Sequence, residues 1–440
     1  MNLSIAHNKG ALERLEVGFS GEVAIMNILK QDAMEAVRFA IESVLPEKTV
    51  IRVLEESCTS KNITVLSIGK AAWRMAKAAK EHLGSSVKKG MVITKYGHSM
   101  GPIEGMEIFE AGHPIPDNNS ILATTKALEM VSKLSKQDLV LFLISGGGSS
   151  LFEKPADGVS LEDISAVTEQ LLSCGANITE INTIRKRLSQ VKGGKFAQTV
   201  QPASIFSIIL SDVLGDRVDT VASGPAFPDP TSSREALEIV EKYSLDLKPE
   251  ILNSILIETP KFLPGISWSL AGNVSSLCKA AANFLGRKGY RVIILTTFLS
   301  CEAKEAGSFI GSIAKEIRFY GRPLLPPCAV IFGGEPVVHL KGKGIGGRNQ
   351  ELALAAAPLI DGLRGTIVVS IGSDGTDGPT DAAGGMVDGG TASFLNGLGK
   401  KISDFLENND SGTALDLCGG LIRTGPTGTN VNDLSMILCK

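Results

Sequence analysis

Three observations predict a two-domain α/β fold with a mostly parallel sheet covered by helices. Short β-branched runs alternate with longer segments of helical period, the sign of βαβ units. At 440 residues the chain exceeds what one hydrophobic core usually supports. Its 48 glycines, against an average usage of about 7%, gather directly after apolar runs, where a backbone must turn sharply or approach a ligand closely.

The elements follow in order. An opening helix from about Val23 to Leu45 carries Ile25, Ile28, Leu29, Ala33, Ala36, Val37, Ala40 and Ile41 on one face and ends at Pro46. Strands are expected at Ile63–Ile68, Met91–Thr94, Leu139–Ile144 and Ile205–Leu210, with helices at Ala71–Leu83, Ser120–Leu134, Leu161–Leu172 and Ile178–Val200. Around Pro260–Gly265 proline and glycine break the pattern, which then resumes. The domain boundary is expected there, with residues 1–22 as an N-terminal extension, 23–262 as the first domain and 266–440 as the second. Second-domain strands are expected at Arg291–Thr297, Ala329–Phe332, Val337–Leu340, Thr366–Ile371 and Leu434–Leu438, the second and third as a hairpin. Helices are expected at Ser275–Arg287, Cys301–Tyr320 and Asn349–Ile360.

Composition narrows the function. Charges nearly cancel, leaving a net −3, and no Lys/Arg block suits a duplex, which argues against nucleic acid as a partner. Nowhere do eighteen apolar residues run together, and Met1–Gly21 lacks an apolar core, so neither a membrane nor an export route is expected. Seven scattered cysteines without a C-x-x-C fit reduced thiols in a cytoplasmic protein better than a zinc site or a disulfide framework.

Five stretches carry chemistry. In Ile68-Gly69-Lys70-Ala71 a strand ends in glycine and a helix begins with lysine, a place for phosphate or carboxylate; the plain alternative is an exposed lysine that merely starts a helix. Thr64 stands where a Walker A loop needs its first glycine. Ser145-Gly146-Gly147-Gly148-Ser149-Ser150 follows a buried strand and offers a nest of backbone N–H groups for oxyanions, or a tight turn with more glycines than a turn requires. It lacks the G-x-S-x-G pattern of an esterase elbow, which argues against serine hydrolysis. Ser211-Asp212-Val213-Leu214-Gly215-Asp216 puts carboxylates at a strand end, for a hydrated Mg²⁺, for a hydroxyl proton or for capping.

The fourth stretch, Lys341–Glu351, matches the dinucleotide fingerprint at Gly342, Gly344 and Gly347. The strand before it is very short, however, and no strand ends in an acidic residue about twenty positions later. What remains is a glycine-rich turn delivering Arg348 beside Lys341 and Lys343, a second anion clamp. The fifth, Gly372–Gly385, crowds Asp374, Asp377 and Asp381 onto one loop, for Mg²⁺, for substrate hydroxyls or as a plain Ω-loop.

Together with Ala111-Gly112-His113-Pro114-Ile115-Pro116-Asp117, Val191-Lys192-Gly193-Gly194-Lys195 and Gly425–Asp433, these stretches in this order resemble the glycerate kinases whose C-terminal part is called the MOFRL domain. The likeness runs over nearly the whole chain. It implies a larger Rossmann-like parallel-sheet domain and a smaller α/β MOFRL-type domain, the MOFRL region at about 328–438, with a cleft between them. It implies phosphorylation of glycerate to 2-phosphoglycerate with ATP and Mg²⁺, by in-line transfer. By motif position Lys70 and Arg348 match the family's active-site lysine and arginine, with Asp212 as a third catalytic candidate. Ser145, Gly146, Gly147, Gly148, Ser149, Lys192, Glu335 and Asn349 would bind substrate or phosphate, and Asp212, Asp374 and Asp377 would hold the metal. Partners would be the small molecules glycerate and ATP, and a homodimer is compatible with the resemblance. Some relatives carry the label hydroxypyruvate reductase, so an NAD(P)H-dependent reductase is the rival reading.

Overall fold

Leu139–Ile144 is apolar at every position, and Ile63–Ile68 at all but Thr64 and Ser67, as strands covered on both faces are. In the computed structural model, which describes residues 4–57, 62–215 and 217–440 (4–22 as helical backbone alone), both lie at the centre of a parallel sheet. Met1–Leu3, Cys58 and Asp216 fall outside the described residues.

The chain divides into two compact units, Leu45–Asn273 and a second that joins the chain through Val44 to Val274–Lys440. The opening helix, α1 (Ser4–Ser43), belongs to the second unit. The first unit starts with α2 (Pro46–Ser57) and carries β1 (Ile63–Ile68), α3 (Ala72–Leu83), β2 (Val87–Lys95), β3 (Met106–Ala111), α4 (Asn118–Val131) and β4 (Leu139–Ile144). After β4 come α5 (Gly148–Leu151), α6 (Leu161–Ser173), α7 (Ile178–Arg187), α8 (Lys195–Val200), β5 (Ser204–Leu210), α9 (Ser233–Lys242), α10 (Pro249–Leu256) and β6 (Ile266–Gly272). Its strands are all parallel, in the order β3-β2-β1-β4-β5-β6, so the chain reverses direction across the sheet between β1 and β4. In open α/β sheets such a switch point, at the carboxyl ends of the strands, is where ligands bind.

Local sequence sets the helix starts. Asp117, Ser160, Asn177 and Ser232 each close a capping box with the residue three positions on, satisfying N–H groups the helix leaves free. Under the β4–α5 turn Phe142, Phe152 and Phe196 are fully buried, with the Phe142 and Phe196 rings 4.8 Å apart. At about 1.5–3 kcal/mol for each such side chain, this cluster anchors the turn to the core. A smaller core of Ile164, Leu171, Ile184, Leu188, Ile239 and Ile255 binds α6, α7, α9 and α10 together.

The second unit contains α11 (Val274–Arg287), β7 (Arg291–Leu299), α12 (Ala303–Tyr320), β8 (Cys328–Gly334), α13 (Arg348–Ile360), β9 (Thr366–Gly372), β10 (Gly384–Asp388), β11 (Leu421–Ile422) and β12 (Asp433–Cys439). Its sheet, β11-β10-β9-β12-β8-β7, is mixed: β7 and β8 are parallel, the other pairs antiparallel.

Four expectations change. The sheet of the first unit extends through β6 to Gly272, beyond the expected boundary at 262–266, because Ile266–Gly272 pairs with β5. The opening helix joins the second unit because its face of Leu29, Ala33, Ala36, Val37 and Ala40 is buried there, with Asp32 accepting hydrogen bonds from Tyr290 Oη at 2.7 Å and Lys440 Nζ at 2.9 Å. Ile178–Val200 is two helices: α7 ends at Arg187, Ser189 bridges to Pro155, and Gly193 and Gly194, at φ of 59° and 85°, turn the chain before α8 opens at Lys195. Val337–Leu340 makes no hairpin: Val337 forms a single bridge to Glu302, and β8 pairs with β12 and β7 instead.

Candidate functional site

At the switch point Ser145 fastens two turns together. Its hydroxyl accepts a hydrogen bond from the Ala71 N–H at 3.1 Å and donates to the Ile68 carbonyl at 3.2 Å, while the Lys70 N–H donates to the Gly146 carbonyl at 2.9 Å. The approach is so close that a Cβ on Gly69, which has φ of 113°, would overlap the Ser145 hydroxyl and carbonyl. Ser145 is therefore buried and acts on the two backbones.

This fastening delivers Lys70 to the β4–α5 turn. The Lys70 side chain, half-buried, has no ion-pair partner among the described residues. Gly147, at φ of 84°, is flanked by the Lys70 stem and the His113 ring: a Cβ there would stand 3.3 Å from Lys70 Cγ and 3.0 Å from His113 Nε2. A Cβ on Gly146 would overlap Asp212 Oδ2, so the carboxylate at the end of β5 lies against the same turn. Among the described residues the N–H groups of Gly146 and Gly147 have no protein acceptor, which makes the turn a nest for an anion. Burial, with the Lys70 charge beside it, holds the His113 imidazole below its usual range, so the ring is a neutral neighbour at pH 7. His113 is the residue of this turn that sequence reasoning left out of the site.

Ser149 and Lys192 form the floor. Lys192 is fully buried, and its ammonium donates to the Ser149 carbonyl at 2.7 Å and to the Glu153 carboxylate. Burial pushes it down to about 8. Its contacts are all with the protein interior, so it supports the nest from beneath. The Ser149 hydroxyl lies 2.9 Å from the Ser223 hydroxyl, and Arg185 Nη2 donates to it at 3.4 Å. Gly148 packs against Ala222, whose Cβ would be 2.9 Å from a Cβ on the glycine.

In the second unit Arg348 opens α13. Its Nε and Nη2 donate to Asp433 at 2.6 and 3.0 Å, a bidentate fork, and Nη1 donates to Glu335 at 2.9 Å. The sheet sets this up: Asp433 opens β12 opposite Gly334, the residue before Glu335. Asp433 is buried, which pushes its carboxyl above the usual range against the opposing pull of the guanidinium. Asp433 was not among the expected site residues, and a lone aspartate at a strand start carries no signal in sequence.

Gly347 has no side chain to cap α13, and Asp377 takes that part: its carboxylate accepts from the Asn349 N–H at 3.1 Å and the Gln350 N–H at 2.8 Å. Asn349, buried, donates to the same carboxylate and accepts from the Ser370 hydroxyl at 2.6 Å. Asp374 is half-buried and accepts from the Thr376 N–H at 3.0 Å, a local turn. Among the described residues no three His, Cys, Asp or Glu side chains gather as a metal cage.

The glycine fingerprint has a structural cause. The N–H groups of Lys341 and Gly342 donate to the Asn409 side chain, that of Lys343 to the Asn408 side chain, that of Gly344 to the Asn408 carbonyl and that of Ile345 to Asp410. A Cβ on Gly342 or Gly344 would collide with Asn408 or Asp410. The loop closes on its own chain, no strand directly precedes it, and it presents none of these donors to a pyrophosphate.

An open parallel sheet with free backbone N–H groups and an unpaired lysine at its switch point, joined in one chain to a mixed sheet carrying a clamped arginine, defines a two-unit α/β protein. The chain matches the family described as Domain of unknown function (DUF4147) over residues 32–256 and the MOFRL family over residues 328–433. It belongs to the MOFRL-domain glycerate kinase family. It is 56% identical over 406 residues to the D-glycerate 2-kinase of Thermotoga maritima, covering 92% of this chain and 97% of that one. It is 44% identical to the glycerate 2-kinase of Pyrococcus horikoshii, with 92% of each chain covered. The crystal structure of a glycerate kinase from Thermotoga maritima superposes with a TM-score of 0.92 at 54% identity, over 94% of this chain and 100% of that one. Among the described residues no helix is long and apolar enough to cross a membrane.

Proposed function

We propose that the protein transfers the terminal phosphoryl group of ATP to the 2-hydroxyl of D-glycerate. The observation that carries this reading is the meeting, at the carboxyl ends of β1, β4 and β5, of a lysine without an ion-pair partner, a nest of unused N–H groups and a carboxylate. Relatives named for this activity at 56% and 44% identity support the choice of reaction.

Phosphoryl transfer asks little covalent chemistry of a protein and much positioning and charge neutralisation. Lys70 would neutralise charge on the moving phosphoryl group, and the N–H groups of Gly146 and Gly147 would hold phosphate or substrate oxygens. Asp212 would orient the acceptor hydroxyl and receive its proton. Arg348 has three of its five N–H groups engaged by Asp433 and Glu335. The remaining two would be left to neutralise phosphate charge.

Mg²⁺ fits the donor set. Hard carboxylate oxygens suit it, and in kinases it is held by one or two carboxylates together with substrate phosphates and water, so a preformed cage is not required. Asp212 would hold it, or Asp374; Asp377 is engaged by the α13 terminus. When bound, the ion neutralises phosphate charge.

Phosphorus NMR of a mixture of purified protein, D-glycerate and ATP tests the reading. A new phosphomonoester resonance coupled to the C2 proton, with ADP formed in equal amount, is expected. No phosphoester, together with NADH consumption on hydroxypyruvate, would overturn it in favour of a reductase.

A further inference from the structure

Arg185, Lys186 and Arg187 are three consecutive cations at the end of α7, and the fold treats them differently. Lys186 and Arg187 are buried and paired, Lys186 with Asp229 at 3.1 Å and Arg187 with Glu258 at 3.2 Å. Arg185 has no carboxylate partner among the described residues, although its Nε is buried without any hydrogen-bond acceptor. A guanidinium nitrogen kept from water and given no acceptor is costly unless a ligand supplies one.

What surrounds Arg185 is polar and assembled from three separate segments. Nη2 reaches the Ser149 hydroxyl at 3.4 Å, next to the anion nest. That hydroxyl meets Ser223 Oγ at 2.9 Å, and Ser223 Oγ donates to Asn182 Oδ1 at 3.4 Å. Asn182 and Arg185 share a face of α7 because they are three residues apart, and the capping box at Asn177 fixes where that helix starts. The Ser223 segment is strained: Ala222 and Ser223 adopt φ of 51° and 62°, left-handed values unfavourable for residues with a Cβ. Strain of this kind persists where the surrounding structure enforces it and gathers at functional sites. Here it sets Ser223 against Ser149 and Ala222 against Gly148.

We propose that Arg185, with Ser149, Ser223 and Asn182, is the seat for the carboxylate of the acceptor substrate. The Nε–Nη2 edge of a guanidinium matches a carboxylate in two parallel hydrogen bonds. Two hydroxyls and an amide beside it suit a small hydroxy acid. The neighbouring nest and Lys70 are left for phosphate. The Arg348 fork is closed by Asp433, whereas the Nε of Arg185 has no acceptor and its Nη2 only a long bond to a hydroxyl, which a substrate carboxylate would replace. This assignment rests on the glycerate kinase reading and names how its acceptor is recognised.

The test is kinetic and calorimetric, on the full chain. In Arg185→Ala the KM for D-glycerate rises about 10–100-fold, the loss expected for hydrogen bonds to a charged group, while the KM for ATP stays within about twofold. Arg185→Lys restores charge without the fork and recovers only part of the loss. The wild type prefers D-glycerate to the neutral amide glyceramide, and Arg185→Ala loses that preference. A wild-type KM for D-glycerate in Arg185→Ala, or an ATP KM that rises in step with it, overturns the seat. Calorimetric titration of D-glycerate into wild type and Arg185→Ala separates the two readings: binding by the wild type without turnover sinks the kinase reading alone, and equal binding by both proteins sinks the seat alone. Should Arg185→Ala fail to fold, as judged by its thermal transition, Arg185→Gln and the wild-type preference for D-glycerate over glyceramide decide the matter.

Discussion

The turn that carries Lys70 and the turn that carries Arg348 solve one problem in opposite ways. Lys70 stands on a scaffold made by other residues, Ser145 above all, and its ammonium enters no ion pair among the described residues. Arg348 is itself part of the scaffold, held by a buried carboxylate on one side and a half-exposed one on the other. A mobile cation on rigid backbone can follow charge that moves during a reaction, whereas a clamped one offers a fixed field. The two should therefore fail differently when altered.

The largest effect is expected in the clamp. Asp433→Ala removes the buried half of a charge pair and leaves Arg348 without its fork, a loss of about 3–5 kcal/mol of stability measurable by urea unfolding. Glu335→Gln, at a site with 45% side-chain exposure, should cost no more than about 1 kcal/mol. Equal losses from both changes would break the distinction between buried and exposed partners.

Next comes Lys70→Met. Turnover should fall by about 10²–10³-fold, the range for deleting one preorganised group that stabilises developing charge. Thermal stability should stay within the ±0.5 kcal/mol typical of surface changes. An ADP-release assay beside a melting curve checks both halves, and a destabilised variant with wild-type turnover would make Lys70 a scaffold residue like Arg348.

Gly344→Ala sharpens the contrast on the loop that leads into Arg348. Its methyl group would collide with Asp410, costing about 1–3 kcal/mol of stability. The KM for ATP should not change, since the loop's N–H groups are already engaged by Asn408, Asn409 and Asp410. A raised KM with unaltered stability would return the loop to nucleotide binding.

The smallest effect is a pH dependence in the Lys70 turn. The folded-state pKa of His113 lies below its ordinary value of 6.5 because of burial and the Lys70 charge. The folded state thus binds fewer protons than the unfolded one at and just below pH 6.5, so stability rises with pH through that window and falls as pH drops. Urea midpoints of wild type and His113→Gln between about pH 5 and pH 7 should diverge, the wild type having the steeper slope. Parallel slopes would mean the imidazole is not held neutral.

Legibility followed burial. β1, β4 and β5 were readable because strands covered on both faces leave near-continuous apolar runs. β3 and β6 were not: each lies at a sheet edge and keeps polar residues, Glu107 and Glu110 in one and Ser267 and Ser269 in the other. Lys70, the glycine nest and Asp212 stood out because glycine after a buried strand is visible locally. Arg185 did not, since nothing in Arg185-Lys186-Arg187 tells which cation is paired. Lys192 and Asn349 sat in motifs but have their side chains buried against interior partners, Glu153 and Ser370.

By itself the sequence determined where the buried strands end and where the capped helices begin, because apolar period, capping residues and glycine act over a few neighbours. It also marked the glycine-rich turns that follow buried strands, without telling which of them keep their N–H groups free. Only the tertiary structure decided which charges are engaged. Whether a lysine or arginine meets a carboxylate depends on residues as far apart as Arg348 and Asp433, brought together by strand register, and no short-range pattern encodes that distance.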